Sequence, residues 1–309
     1  MEPLIILSGP TAVGKTELSL SLAEAVGGEI ISADSMQVYR GMDIGTAKLP
    51  EAERRGIPHH LIDILDPDEP WDVSQFVERS KTAIEEIRAN GHIPIVVGGT
   101  GFYIQALVKD IRFEDEPRDD GYRETLEATD TETLSAMLAK VDPESSLTIP
   151  AGNRKRMIRA IEYAHYHGEP ISALNARQQE QASPYNYAYF VLTMNREKLY
   201  QRIDERVDIM VRDGLESEVR SLLDAGCREG SVAMLGLGYR QMFPYLRGEC
   251  SLDEATERIK LETRHFAKRQ MTWFRREKDV IFLDKDLATE EELLRQMLAT
   301  LREKGIIRT

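Results

Sequence analysis

Eight residues near the amino terminus, Gly9-Pro10-Thr11-Ala12-Val13-Gly14-Lys15-Thr16, have the types and spacing G-x-x-x-x-G-K-[ST] of a phosphate cradle. The apolar run Leu4 to Leu7 before them predicts a strand, and Leu18, Leu20, Leu22 and Ala23 after them a helix. In that setting the glycines let backbone N–H groups point inward, and the helix start adds partial positive charge. Lys15 brings a point charge to bridging and terminal phosphate oxygens, and the Thr16 hydroxyl is placed to hold Mg²⁺. The ligand therefore carries at least a diphosphate. The loop alone says neither which molecule it holds nor which bond breaks.

Two further stretches are expected beside the cradle. Glu29 to Ala33 reads as a short strand ending at Asp34-Ser35, and in an open α/β sheet the carboxyl ends of strands face the ligand crevice. Asp34 is thus a candidate base, or alternatively a cap for the next turn or a water-mediated Mg²⁺ ligand. Ile93 to Val97 reads as a buried strand delivering Gly98-Gly99-Thr100-Gly101 to the same edge. Glycines allow close backbone approach there, and the Thr100 hydroxyl can donate to phosphate or accept from an amine; an ordinary strand-to-helix turn is the plainer alternative. His59 to Leu65 is a third strand candidate, with Asp63 and Asp66 as weak Walker-B-like carboxylates. Its two adjacent histidines suit packing or hydrogen bonding better than metal binding. The glycine-punctuated run Tyr39 to Lys48 reads as a loop over the site rather than an element of the core.

These pieces need a scaffold, and 309 residues with 41% hydrophobic and 30% charged content can supply one large α/β domain with an elaboration. The expectation is a parallel sheet flanked by helices, of the P-loop NTPase type. Net charge of −13 argues against a wholly electrostatic nucleic-acid binder, so any RNA contact needs a local basic face. No stretch approaches the roughly 18 apolar residues of a membrane span, and no signal peptide is apparent. Cys227 and Cys250 show no metal-ligand spacing, which points to the cytoplasm and away from structural zinc.

Residues 114–183 are helical in pattern, start acidic and interrupt a sheet pattern that resumes at Tyr187 to Leu192. We expect a core domain of residues 1–113 and 184–309 and an inserted all-helical domain of 114–183. Within the insertion, Arg154, Lys155, Arg156 and Arg159 open a helix without an intervening acid, contrary to what the helix dipole favours. An external anion such as RNA would compensate them; a solvated charged face is the alternative. Lys198 to Ala225 reads as one long amphipathic helix, with Arg202, Arg206 and Arg212. Asp253 to Lys278 reads as another, and from Glu254 it carries eight Lys and Arg against four Glu. Phe266, Trp273 and Phe274 along it could stack on bases or anchor the core. Val280 to Leu283 reads as the final strand and Glu290 to Lys304 as the terminal helix.

A cradle on such a sheet most often serves phosphoryl transfer, although no N-K-x-D guanine-reading motif is present. Taken together, however, the cradle, Ile31 to Ser35, Tyr39 to Lys48, Gly98 to Gly101 with Tyr103, Gly238-Tyr239-Arg240-Gln241, and Lys268-Arg269-Gln270 with Trp273 and Arg275 closely resemble the tRNA dimethylallyltransferases, also called tRNA isopentenyltransferases. The resemblance spans most of the chain, and Tyr39 to Lys48 is far more specific than the cradle. It is similar to the bacterial, zinc-free type. It implies transfer of a dimethylallyl group from its diphosphate to N6 of the adenosine 3′-adjacent to the anticodon, in tRNAs reading codons that begin with U. Asp34 would then be the base and Thr100 the bridge between amine and diphosphate oxygens. Gly9 to Thr16 with Arg206, and less strongly Arg202, would hold the diphosphate, with Mg²⁺ on Thr16. Contacts to the anticodon stem-loop are implied for Asp34, Ser35, Met36, Gln37, Thr100, Arg123, Lys155, Arg156, Met157, Ile158, Arg159, Gly238, Tyr239 and Arg240. The protein would act as a monomer, away from membranes. Competing readings are an adenylate isopentenyltransferase, a small-molecule kinase and a noncatalytic nucleotide-binding adaptor; the basic insertion disfavours the first, because a mononucleotide needs no such arm.

Overall fold

The computed structural model describes residues 1–111, 113 and 120–308. The expected boundary at 113/114 and the acidic start of the insertion fall outside the described residues. The chain divides into two compact units, Met1–Val108 with Pro184–Thr309, and Lys109–Ser183.

The first unit is built on six parallel strands: β1 (Glu2–Ser8), β2 (Gly28–Ser32), β3 (His59–His60), β4 (Ile93–Gly98), β5 (Tyr185–Thr193) and β6 (Val280–Asp284), in the order β3-β2-β4-β1-β5-β6. Leu4 to Leu7 are fully buried, as a parallel strand covered on both faces requires. Ile5 and Leu7 join a core with Leu18, Leu20 and Leu22 of α1 (Lys15–Val26) and Leu293, Met297 and Leu301 of α13 (Glu290–Glu303). Leu4 and Ile6 alternate to the opposite face. The helices α2 (Val73–Ala89) and α3 (Gly101–Val108) pack together, with Phe76 stacked on Tyr103 at 4.7 Å.

Register brings the chemistry to one edge. Ser8 pairs with Gly98, and Ser32 with Val97, so the turns after β1, β2 and β4 leave the sheet together. Ala33 N–H donates to the Val97 carbonyl at 2.8 Å, and Thr100 N–H to the Ala33 carbonyl at 3.3 Å. Gly98 has to be glycine, because a Cβ there would lie 2.3 Å from the Ala33 oxygen.

Three expectations are corrected. The third strand stops after His60, because Leu61 and Asp63 take left-handed φ values of 61° and 56° that no strand accommodates. Asp63 then pairs with Lys48, and Asp66 with Arg40, so neither is a Walker-B carboxylate. His60 and His92 both bond the buried Glu29 carboxylate. The long helix after β5 is two, α9 (Arg196–Arg212) and α10 (Leu215–Asp224), broken where Gly214 adopts φ 108°. The run from Tyr39 to Lys48 is a loop, yet Tyr39 and Met42 are fully buried in the core. Along the chain α10 is followed by α11 (Tyr239–Leu246) and α12 (Leu252–Phe274).

The second unit holds α4 (Asp120–Ala128), α5 (Thr131–Val141), α6 (Pro143–Thr148), α7 (Arg154–His167) and α8 (Ile171–Glu180) around Leu126, Leu134, Leu138, Met157, Ile158 and Ile161. Asp142 is buried and ties α6 to α8, accepting from Ser145 N–H at 2.9 Å and from Ser172 N–H at 3.0 Å.

Candidate active site

At the carboxyl edge of the sheet a cavity of about 570 Å³ is lined by Thr11, Ala12, Gly14, Lys15, Thr16, Asp34, Gln37, Gly98, Gly99, Arg202 and Arg206, together with Thr46, Ala47, Ile209, Phe266 and Gln270. The cradle, the Asp34 turn and the β4 turn thus meet in one place. Three cations share it with Asp34, Glu17 and Glu205.

Gly14 caps α1 in the left-handed region, at φ 93°, which lets the loop close over the helix start. Lys15 Nζ donates to the carbonyls of Gly9 at 3.0 Å and Pro10 at 2.9 Å, so the loop itself aims its lysine. Val13 is fully buried beneath the loop, where its side chain supports it. Burial lowers the Lys15 pKa to about 8; Arg206 pushes the same way and Asp34 opposes. Burial likewise pulls the Arg206 guanidinium down, against Asp34. Two desolvated cations with one carboxylate between them are what an incoming polyanion would stabilise. Arg202 donates Nε–H to the Ala12 carbonyl at 2.9 Å. Arg212 faces Asp213 instead of the site.

Asp34 Oδ1 accepts from the N–H groups of Met36 at 2.8 Å and Gln37 at 3.3 Å. It therefore caps its turn with one oxygen, which fixes the carboxylate at the edge of the cavity. Ser35, Met36 and Gln37 are half-buried along that turn. Thr100 is half-buried where α3 begins, directly after the lining residue Gly99.

Gln270 performs a task that its position in a motif did not reveal. Its side chain, only 6% exposed, accepts from Thr11 N–H at 2.9 Å and donates to the Gly99 carbonyl at 3.0 Å, tying the cradle to the β4 turn. Phe266 and Ile209 are exposed apolar residues in the cavity lining. Phe274 is fully buried and is a core anchor, and Trp273 packs over Gly101, where a Cβ would lie 2.3 Å from its ring.

The remaining expected residues divide by burial. Tyr239 is fully buried, with its hydroxyl on Glu218 at 2.6 Å, so its side chain braces the loop 43–45. Burial, then Glu218, raises its pKa. Gly238 is buried with it, and Arg240 pairs with Glu262 at 2.7 Å. In the helical unit Met157 and Ile158 are 1% and 4% exposed and form its core, which removes their side chains from any RNA surface. Arg154 caps the end of α4, donating to the carbonyls of Glu127 and, just past the helix, Thr129, which accounts for one unexplained charge at the start of α7. Lys155, Arg156 and Arg159 are exposed on that helix. Arg123 is held by Glu162 and Glu127.

Among the described residues no group of three His, Cys, Asp or Glu could hold a metal ion, and no helix is long and apolar enough to cross a membrane. Mg²⁺ nevertheless suits the cavity, because that hard ion keeps several waters and needs few protein oxygens beside phosphate. The exposed Thr16 hydroxyl is one such oxygen.

Comparison with known proteins gives the family. Residues 37–277 match the family model described as IPP transferase. A protein of Lachnoclostridium phytofermentans named tRNA dimethylallyltransferase is 52% identical over 100% of both chains, and one of the same name from Pelotomaculum thermopropionicum is 46% identical over 98% of this chain and 97% of its own. The crystal structure of the tRNA isopentenylpyrophosphate transferase of Bacillus halodurans superposes with a TM-score of 0.76 at 40% identity, covering 99% and 98% of the two chains. A eukaryotic dimethylallyltransferase acting on tRNA, solved by crystallography, gives 0.85 at 30% identity, over 100% of this chain and 81% of its own. This chain belongs to the IPP transferase family.

Proposed function

We propose that the chain transfers the dimethylallyl group of dimethylallyl diphosphate to N6 of the adenosine 3′-adjacent to the anticodon of tRNA. The observation that carries the reading is the sharing of one cavity by a diphosphate cradle and a carboxylate that is not part of it, Asp34. The names borne by its relatives support the same activity.

In this reading the cradle N–H groups, Lys15 and Arg206 bind the diphosphate, with Arg202 beside them. Mg²⁺ bound at the Thr16 hydroxyl would neutralise part of the charge that the leaving diphosphate develops. The allylic C–O bond breaks, its electron pair departs with the diphosphate, and the adenine N6 lone pair forms the new C–N bond. That amine is a poor nucleophile because its lone pair is delocalised into the ring. Asp34 Oδ2 accepts its proton and aims the nitrogen, while Thr100 lies between amine and diphosphate. The base has to leave its stack to reach the cavity. Lys155, Arg156 and Arg159 would meet tRNA phosphates. We place the reaction in the cytoplasm, with the chain acting as a monomer.

The test uses purified protein, Mg²⁺, labelled dimethylallyl diphosphate and unmodified tRNA, with AMP and ATP as controls. Label is expected in tRNA, and Asp34→Asn should lower turnover by roughly 10²–10⁴-fold while preserving tRNA affinity. Label in AMP, or ATP consumption without prenylated RNA, would overturn the reading in favour of a nucleotide prenyltransferase or a kinase.

A further inference from the structure

Glu218 stands in the first turn of α10, outside every motif that marks the site. Its carboxylate gathers four donors. Oε2 accepts from the backbone N–H groups of Asp43 at 2.8 Å and Ile44 at 2.7 Å, and Oε1 accepts from Gly45 N–H at 3.0 Å and the Tyr239 hydroxyl at 2.6 Å. Consecutive amides converging on one anion are the way a backbone holds a phosphate, and bonds to a charged acceptor are the strong kind. Here the anion belongs to the protein. The Tyr239 ring closes the loop from the other side, so near Gly45 that a Cβ there would lie 2.5 Å from the ring.

The clamp has a direct route to the site. Thr46 and Ala47, the next residues of the loop, line the cavity. The Thr46 carbonyl accepts from Gln37 Nε2 at 3.2 Å, and Gln37 N–H donates to Asp34 Oδ1 at 3.3 Å. Hydrogen bonds and one short loop therefore run without a break from Glu218 to the carboxylate that faces the substrate. We propose that Glu218 is a positioning residue for prenyl transfer: its carboxylate fixes the 43–47 loop and, through Gln37, the aim of Asp34. This rests on Asp34 being the base of the proposed reaction.

Glu218→Gln keeps the size of the side chain but turns an NH₂ group toward donors, so part of the clamp must open. Tyr239→Phe removes only the fourth donor and keeps the ring against Gly45. In Glu218→Gln, amide hydrogen exchange at residues 43–45 should accelerate and kcat for prenyl transfer should fall by about 10²-fold, the scale of an ångström-level misplacement. Pyrophosphate affinity and the KM for dimethylallyl diphosphate should stay within about twofold, because the cradle is untouched. Tyr239→Phe should move both readouts the same way by less, and it carries the test if Glu218→Gln fails to fold. Unchanged exchange in 43–45, kcat at the unsubstituted level, or a loss of pyrophosphate affinity as large as the loss of kcat would each overturn the proposal. If the unsubstituted protein transfers no prenyl group, the proposed function fails by itself, and the exchange measurement then decides whether Glu218 holds the loop.

Discussion

Replacing Gln270 by leucine tests whether the active site is held together by a side-chain amide. Gln270 is 6% exposed, and its two amide ends meet Thr11 N–H at 2.9 Å and the Gly99 carbonyl at 3.0 Å. Leucine occupies similar space and satisfies neither group. A buried backbone donor or acceptor left without a partner costs about 1–3 kcal/mol, which gives about 2–6 kcal/mol for the pair. Thr11 is half-buried, so water reaches its N–H in part, and the lower half of that range, about 2–4 kcal/mol, is expected. For a unit the size of the one that holds Gln270, Met1–Val108 with Pro184–Thr309, each kcal/mol moves Tm by about 2–4 °C, so thermal unfolding followed by circular dichroism should show a fall of roughly 4–16 °C. Gln270→Glu makes a sharper companion. It still accepts from Thr11, but it sets a second oxygen against the Gly99 carbonyl and adds negative charge beside the cradle. It should therefore weaken pyrophosphate binding, measured by calorimetry, more than Gln270→Leu does. A Gln270→Leu protein melting within about 1 °C of the unsubstituted one would refute the reasoning. Equal pyrophosphate affinities for the two variants would remove Gln270 from the neighbourhood of the diphosphate.

Three more expectations follow from charge. Lys15, with its pKa lowered to about 8 by burial and then Arg206 against the opposing pull of Asp34, should bind diphosphate best when protonated. Pyrophosphate affinity should weaken as pH rises through about 8, by up to tenfold per pH unit, and Lys15→Arg should flatten that profile. Reversing Lys155, Arg156 and Arg159 to glutamate should lower tRNA affinity and reduce the slope of log affinity against log salt by about 0.7–0.9 for each phosphate that is no longer neutralised; an unchanged slope would take these residues out of the interface. Burial alone would raise the Asp142 carboxyl, yet hydrogen bonds from Ser145 and Ser172 outweigh it and leave the pKa below its ordinary 3.8. Its contribution to the helical unit is therefore complete above the unfolded value and lost as pH falls through the lower folded one, so Asp142→Asn should blunt the acid unfolding of that unit followed by circular dichroism.

The parts of the molecule that could be read from sequence are those whose cause is local. Leu4 to Leu7 announce a strand buried on both faces, and the cradle fixes where that strand ends, so the neighbouring strands and the position of Asp34 at the sheet edge follow. The third strand is misread because an apolar run does not disclose that Leu61 and Asp63 turn left-handed, and the break at Gly214 hides in an amphipathic pattern that continues on both sides of it. Gln270 and Glu218 are illegible for a different reason. Their partners lie 259 and 175 residues away along the chain, and although each falls on its helix's apolar stripe, Gln270 between Ala267 and Phe274 and Glu218 between Leu215 and Leu222, that spacing does not say which distant backbone groups it meets. A family pattern also records that a residue is present without recording where it points. Tyr239, Met157 and Ile158 belong to the pattern, yet they are buried, and the charged neighbours Lys155 and Arg156 are the ones exposed. Sequence thus merges two kinds of requirement: groups that line the cavity, such as Lys15 and Asp34, and groups that hold those in place. The second kind spreads over α10, α11 and α12, remote in sequence from the cradle, which is why an active site announced by eight residues needs most of the unit to aim it.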